Sequence, residues 1–120
     1  MTKESVIKIE NRNDVTIISF VHPSIGATAG VEEVSRQING FVNDNKPAKR
    51  IIDFEGVKFF SSQALGMLIE VWRKFEKYDG KMVISGINPQ LYRVFKITNL
   101  NKIFEFYEDS QAALNSFENS

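Results

Sequence analysis

Residues 50–78 constrain the fold of this chain more than any other stretch. The first part, residues 51–57, is rich in β-branched and aromatic side chains. It is too short for a helix between its charged and glycine ends, so it predicts a buried strand. Gly56 then marks a short bend, and two serines, Ser61 and Ser62, precede a long run with helical periodicity. The stretch therefore predicts a strand, a bend and a helix that begins at the serines.

The start of this helix could hold a phosphate. Ser61 is a residue type that caps helices by accepting a hydrogen bond from a backbone N–H two or three positions on, and Ala64 and Leu65 favour a helix. Ser62 is then the first helical residue, with its hydroxyl beside unpaired backbone N–H groups and the positive end of the helix dipole. A phosphate placed there would find hydrogen-bond donors ready.

The same helix has an apolar side and a polar side. At about 100° per residue, the predicted core-facing arc consists of Leu65, Leu68, Ile69, Trp72 and Phe75, with Ala64 and Val71 at its margin. The opposite side carries Gln63, Gly66, Glu70, Lys74 and Lys77, with Met67 at the boundary. Glycine allows close approach of another backbone and methionine adapts to irregular surfaces, so a partner could bind on this side. The alternative is an ordinary helix turn with a chance glycine.

The rest of the chain alternates strands and helices. Two β-rich runs, residues 6–10 and 15–21, flank a four-residue polar loop and predict a hairpin. Helical spacing over residues 31–42 predicts a crossover helix, so the strands on either side of it are expected to be parallel. Further strands are predicted at residues 81–85 and 103–106, the second at an edge, and further helices after Asn88, which precedes a proline, and after Asp109 or Ser110. This order predicts an α/β layer with a mainly parallel sheet.

The charge balance argues against two classes of partner. The 15 basic and 15 acidic residues leave no net charge, so neither nucleic acid nor an anionic membrane is expected as the main partner. Basic residues do form two local groups, one of Arg73, Lys74, Lys77 and Lys81 and one of Lys46, Lys49 and Arg50. Both groups are interpreted as solvated faces.

Missing residues and motifs argue against catalysis. Without cysteine there is no disulfide, thiolate metal site or cysteine nucleophile, and the carboxylates are too scattered for a metal site. His22 is the only histidine, and neither a nucleophile-elbow nor a Walker pattern is present. We therefore expect no enzymatic activity.

Length and hydropathy predict a single cytoplasmic domain. The 120 residues include no long polar linker, so we expect one domain over residues 1–120 with an ordered core of about 5–117. The chain has no apolar run of signal-peptide length at its start and none long enough to span a membrane, which favours the cytoplasm. Without an obvious second apolar face, a monomer is expected.

Three groups of motif residues run through the chain. They are Asp53-Phe54-x-Gly56-Val57-x-Phe59-Phe60-Ser61-Ser62-x-x-Leu65-Gly66, then Gly80-x-x-Val83-Ile84-x-Gly86-Ile87-x-Pro89, and finally Leu100-x-x-Ile103-Phe104. Together they resemble the STAS domains, specifically the small bacterial anti-sigma factor antagonists, over about residues 14–117. The resemblance implies an α/β STAS fold: a mixed, mainly parallel sheet of four to five strands, with an N-terminal hairpin and helices packed mostly on one face.

The resemblance also implies a modification site and a binding surface. Matched position by position, Ser62 is the residue that a partner kinase phosphorylates in this family. The implied partner-binding residues are Ser61, Ser62, Gln63, Gly66, Met67 and Glu70. Asp53 matches a family position at the end of the central strand, where it either hydrogen-bonds the backbone of the bend or positions the acceptor loop for the kinase. No metal, cofactor or catalytic residue is implied.

The sequence departs from the family pattern at two positions. Ser61 stands where aspartate is usual, and Ala64 stands where the first glycine is usual. Serine and aspartate are about equal as helix caps, so the helix start should survive. The acceptor has, however, lost a neighbouring carboxylate that a kinase could recognise.

Two functions follow from the resemblance. In a partner switch, the unphosphorylated domain binds an anti-sigma factor that is also a serine kinase, and a sigma factor is released. Phosphorylation of Ser62 ends this binding, and a serine phosphatase restores it. In the alternative, which the two departures motivate, the domain is a STAS scaffold or ligand-sensing domain that binds without a phosphorylation cycle. Neither function involves nucleic acid, a membrane or a cofactor.

Overall fold

The computed structural model describes residues 7–12, 14–26, 36, 49–77 and 80–118, and strands and helices alternate along it from residue 62 onward. The strands are β1 (Ile7–Arg12), β2 (Val15–Phe20), β3 (Ser24–Ile25), β4 (Lys49–Asp53), β5 (Phe59–Phe60), β6 (Lys81–Ser85) and β7 (Phe106–Tyr107). The helices are α1 (Ser62–Lys77), α2 (Pro89–Ile97) and α3 (Ser110–Glu118), with a 3₁₀ turn at Leu100–Lys102.

Five of the strands form one sheet in the order β1-β2-β4-β6-β7. β1 and β2 are antiparallel neighbours, whereas β2, β4, β6 and β7 run parallel to one another. β3 and β5 form a separate, two-stranded parallel sheet. The middle residues of β2, β4 and β6 are apolar because helices cover both faces of the sheet there. The predicted α/β fold with a mixed, mainly parallel sheet is confirmed.

The N-terminal hairpin is tighter than predicted. β1 continues to Arg12, which pairs with Val15, so only positions 13 and 14 connect the two strands. Asp14 has a φ of 68°, in the left-handed region that two-residue hairpin turns require and that aspartate tolerates. The polar residues at the end of β1 were mistaken for a loop because they lie on an edge strand, where Asn11 accepts a hydrogen bond from the Thr16 hydroxyl at 2.9 Å.

The predicted crossover helix over residues 31–42 lies outside the described residues, apart from Arg36, which is helical. The strand direction that it implied is confirmed on the strands themselves. Ile17 of β2 lies beside Ile51 of β4 in parallel register, and Ile51 lies beside Val83 of β6.

α1 and α2 cover one face of the sheet, and α3 covers the other. The core beneath α1 and α2 takes Ile18, Ile52 and Ile84 from the strands. The smaller core beneath α3 consists of Val15, Ile17, Ile51, Val83, Ala113, Leu114 and Phe117. Two of the three described helices therefore share a face, as predicted.

Phe54 is the centre of an aromatic cluster in the larger core. Its ring centroid lies 5.4 Å from that of Phe20, 5.0 Å from Phe60 and 6.0 Å from Phe95, all in edge-to-face geometry. Phe54 directly follows β4, at the point where the chain bends toward α1. Phe54 thus fixes the start of the connection between β4 and α1 to the core.

The last strand is shifted from its predicted position at residues 103–106. β7 begins at Phe106, and a 3₁₀ turn precedes it. This turn leaves Ile103 exposed and returns Phe104 to the core, where its ring lies 6.0 Å from Trp72 and 6.1 Å from Phe95. Residues 103–105 therefore lie outside any strand, and only Phe106 of the predicted segment belongs to β7. β7 does lie at the sheet edge, as expected.

Arg50 is not on a solvated face, which corrects the sequence interpretation. It is 1% exposed and is the second residue of β4, between Thr16 of β2 and Met82 of β6. Its guanidinium donates to the carbonyl of Lys49 at 3.3 Å, and burial lowers the pKa of this group. Lys49, the first residue of the same strand, is exposed, so burial here depends on the position along the strand and not on the residue type.

Candidate functional site

A turn at Gly56 begins the connection between β4 and α1, here called the acceptor loop (residues 54–61). The N–H of Val57 donates to the carbonyl of Phe54 at 2.9 Å, and Gly56 has a φ of 84°. A positive φ at this third turn position is typical of a type II turn and favours glycine. The predicted bend at Gly56 is confirmed.

The acceptor loop is held by hydrogen bonds on both sides. On one side, the N–H groups of Lys58 and Phe59 donate to the carbonyl of Pro23 at 2.7 and 3.1 Å. The N–H of Ser61 donates to the carbonyl of Ile25 at 3.0 Å. On the other side, the Asn88 side chain donates to the Val57 carbonyl at 3.0 Å. The pairing of β3 with β5 was not predicted, because two strands of two residues have no periodicity to detect.

Ser61 caps α1, as predicted. Its hydroxyl oxygen accepts from the N–H of Ala64 at 3.1 Å, and its carbonyl accepts from the N–H of Leu65 at 3.0 Å. Ser62 is the first helical residue and is exposed. No hydrogen bond within the described residues uses the N–H of Ser62 or of Gln63. These two donors are therefore open at the positive end of the helix dipole, where Ser62 lies.

Four of the predicted partner-binding residues are exposed on one side of α1. They are Ser62, Gln63, Gly66 and Glu70, and Ser61 beside them is half-buried. A Cβ atom built on Gly66 would meet nothing within 4 Å. We call these five residues the α1 face.

Met67 does not belong to the α1 face, and its expected position at the solvent boundary was wrong. It is 5% exposed and packs in the larger core, together with Ala64 and Val71, whereas Ile69 and Trp72 are only partly buried. The buried arc of α1 is therefore rotated from the predicted one. Periodicity gives the width of an apolar arc, but which side of that arc is buried depends on the packing of the helix in the core.

Asp53, at the end of β4, hydrogen-bonds the start of the acceptor loop. Its carboxylate oxygen Oδ1 accepts from the hydroxyl of Ser85 at 3.0 Å and from the N–H of Glu55 at 3.3 Å, and the residue is 9% exposed. The predicted hydrogen bond to the backbone of the bend is confirmed. Ser85 and the adjacent Gly86 were not predicted as site residues, although Gly86 belongs to the motif that carries the resemblance.

Two glycine variants should change stability in opposite directions. A Cβ on Gly86 would lie 2.8 Å from the Asp53 carboxylate, at a φ of 66°, so Gly86→Ala should lower the free energy of unfolding by about 1–3 kcal/mol. Gly66→Ala, in an open helical position, should raise it by about 0.5–1 kcal/mol. Urea unfolding of both variants beside the wild type measures the two effects. Equal destabilisation by both would contradict the close approach of Gly86 to Asp53.

The described residues show neither a metal site nor a membrane span. No three histidine, cysteine, aspartate or glutamate side chains cluster closely enough within them to bind a metal ion. Among the same residues, no helix is both long and apolar enough to cross a bilayer.

Comparison with known proteins agrees with this geometry. The STAS domain family model matches residues 6–113. An anti-sigma F factor antagonist of Paenibacillus polymyxa is 24% identical over 68 residues, 57% of this chain and 58% of that protein. An anti-sigma-B factor antagonist of Listeria monocytogenes is 30% identical over 54 residues, 45% of this chain and 47% of that protein. The chain thus spans about half the length of the curated relatives it matches.

Solved structures show the same fold. An anti-sigma-factor antagonist (STAS) domain protein from Planctomyces limnophilus superimposes with a TM-score of 0.84 and 24% identity, over 95% of this chain and 98% of that one. The Bacillus cell fate determinant SpoIIAA, solved in its phosphorylated form, gives a TM-score of 0.70 and 17% identity, over 92% and 98% of the two chains. Since the family model also covers most of the chain, this protein belongs to the STAS domain family.

Proposed function

We propose that this domain is an anti-sigma factor antagonist that binds through the α1 face and is switched off by phosphorylation of Ser62. The names of its curated relatives support the general role. The observation that carries the specific role is the position of Ser62: an exposed hydroxyl on the first residue of a helix whose start is hydrogen-bonded on both sides. The partner is an anti-sigma factor that also acts as a serine kinase.

The rigid acceptor loop suits a binding surface. Because its backbone is already hydrogen-bonded to Pro23 and Ile25, docking requires little further ordering, and less conformational entropy is lost. Gly66 adds an open position where a partner backbone can approach closely. The unphosphorylated α1 face would bind the anti-sigma factor and leave the sigma factor free.

The chemical step belongs to the kinase. The oxygen of the Ser62 hydroxyl forms a bond to the γ-phosphorus of ATP while the bond to ADP breaks, and the hydroxyl proton passes to a base of the kinase. The product carries about −1.5 to −2 charges at neutral pH. The domain itself is a binding protein and a kinase substrate, and a serine phosphatase returns it to the binding form. In this role it acts in the cytoplasm, as a monomer.

One observation favours the alternative of a STAS scaffold that binds constitutively. The residue before Ser62 is a serine, which offers a kinase no carboxylate. Its hydroxyl oxygen already accepts the capping hydrogen bond from the N–H of Ala64. In this alternative Ser62 is only a helix-start residue, and the α1 face binds its partner without a phosphorylation cycle.

Mass spectrometry after incubation with ATP and the serine kinase encoded nearest to this gene tests the proposal. We expect one added phosphate, mapped to Ser62 and lost in Ser62→Ala. Ser61→Ala should still accept the phosphate, although losing the cap costs about 1 kcal/mol of stability. Stable binding to the kinase without any phosphate on Ser62 would instead support the scaffold.

A further inference from the structure

A second exposed surface lies at the C-terminal end of α2. Ile97 is 73% exposed, more than any other large apolar side chain in the described ranges. Two more exposed aliphatic side chains and three exposed cations accompany it. We call the six residues the α2 corner: Arg93, Val94, Lys96, Ile97, Lys102 and Ile103.

The core packing of α2 turns the helical part of the corner outward. Leu91 and Phe95 are buried on one side of the helix, so the opposite side faces solvent. Val94 and Ile97 are three residues apart and therefore neighbours on the helix surface. They form an apolar pair, and neither residue belongs to the hydrophobic core.

The 3₁₀ turn adds the remaining part of the corner. Phe104 packs on Phe95, with ring centroids 6.1 Å apart, and the N–H of Ile103 donates to the carbonyl of Leu100 at 3.0 Å. These contacts fold the turn back onto α2. Lys102 and Ile103 therefore stay beside the end of the helix.

The corner is positive in a chain with no net charge. Aspartate and glutamate make up 15 of the 120 residues, yet none occurs between Ser85 and Glu105. Within the part of the chain that the structure describes, no ion pair involves Arg93, Lys96 or Lys102. A cation in the last turn of a helix is favoured by the dipole, which accounts for Lys96 but not for three cations together.

We propose that the α2 corner docks a protein segment that carries acidic side chains around an apolar residue. Protein interfaces have an apolar centre and a polar rim, and here aliphatic side chains lie among cations that an acidic segment would neutralise. Nucleic acid is disfavoured as the occupant, because aliphatic side chains neither contact phosphates nor stack on bases. A membrane is disfavoured because Leu91 and Phe95 of α2 are already buried in the core, so only Val94 and Ile97 of this nine-residue helix could insert.

The α2 corner is separate from the α1 face. Asn88 caps α2 and contacts the acceptor loop, so the loop adjoins the start of this helix and not its end. Nine residues of helix span about 14 Å, longer than the physiological screening length of about 8 Å. Binding at the corner should therefore be independent of phosphorylation at Ser62.

An NMR titration of the ¹⁵N-labelled full chain tests this surface. The probe is a short synthetic peptide in which leucines are flanked by glutamate and aspartate. We expect saturable amide shifts confined to about residues 93–103, weakened by added salt. Ile97→Gln, at a side chain exposed enough to change without harming the fold, should raise the Kd about tenfold or more, as should Arg93→Glu with Lys96→Glu.

Matched variants and probes decide the outcome. Val21→Gln replaces another exposed apolar residue, and Lys8→Glu with Lys58→Glu reverses two exposed charges elsewhere, so neither should alter the Kd. Peptides with serine for leucine, or lysine for the acids, should not bind. The proposal is overturned by shifts that Ile97→Gln leaves unchanged, by the absence of shifts at millimolar peptide, or by preferential binding to phosphatidylglycerol vesicles or single-stranded DNA.

Discussion

Phosphorylation of Ser62 is expected to weaken binding to the anti-sigma partner by about thirtyfold or more. A dianionic group on the exposed start of α1 is tolerated in the free protein, where backbone N–H groups and solvent surround it. In the docked state the same group would lie inside the interface without a matching cation. An unpaired charge there costs about 2–5 kcal/mol, and each 1.4 kcal/mol or so is tenfold in affinity.

Calorimetry with the purified partner measures this effect on enzymatically phosphorylated protein and on Ser62→Asp. Aspartate imitates phosphate poorly, so the substitution should give a smaller loss than the phosphate. Ser110→Asp is the matched control, since Ser110 is likewise the first residue of a helix but lies on α3, across the sheet. Fully phosphorylated protein that binds like the unmodified form would refute the switch and favour the scaffold.

The phosphorylated domain should keep its fold. Glu70 follows Ser62 by eight helical residues, about 12 Å, which exceeds the physiological screening length of about 8 Å. Repulsion within the domain is therefore small. Backbone chemical shifts should change only near the acceptor loop and the first turn of α1, and large changes on α3 would indicate a conformational switch instead.

Phe54→Ala should lower the free energy of unfolding by about 3–5 kcal/mol, a large share of the 5–15 kcal/mol typical of a whole domain. The Phe54 ring is fully buried and lies edge-to-face on three other rings, so its loss leaves a cavity among Phe20, Phe60 and Phe95. Urea unfolding monitored by circular dichroism measures the loss. The variant should also loosen the acceptor loop, because Phe54 begins the Gly56 turn.

Phe59→Ala provides the matched control for this core substitution. Phe59 is five residues further along the chain but is 47% exposed and lies outside the core clusters. Its replacement should cost much less, about 1 kcal/mol or below. Similar losses for both variants would mean that the Phe54 cluster does not dominate the core.

Local features of the site were predictable because they depend on a few neighbouring residues. The Ser61 cap, the bend at Gly56 and the Asn88 cap followed by proline each rest on hydrogen bonds or backbone preferences within about four residues. The position of Ser62 also followed from this cap, because the residue directly after the Ser61 cap is the first residue of the helix.

Features that depend on the packing of distant segments were not predictable. Met67 is buried because the sheet and the rest of the core set the rotation of α1, which helical periodicity alone leaves open. The hydrogen bond from Ser85 to Asp53 joins residues 32 positions apart, and the β3 and β5 pairing was likewise invisible in two such short segments.

By itself, then, the sequence determined the α/β class, the family, and the position of Ser62 at the start of a helix. Those properties follow from short-range periodicity, capping and a motif. The tertiary structure alone decided which side of α1 stays exposed, why Arg50 is buried, and how Asp53, Ser85 and Gly86 support the acceptor loop. The physical reason is that burial and close packing depend on which distant segments come into contact. No local sequence pattern indicates those contacts.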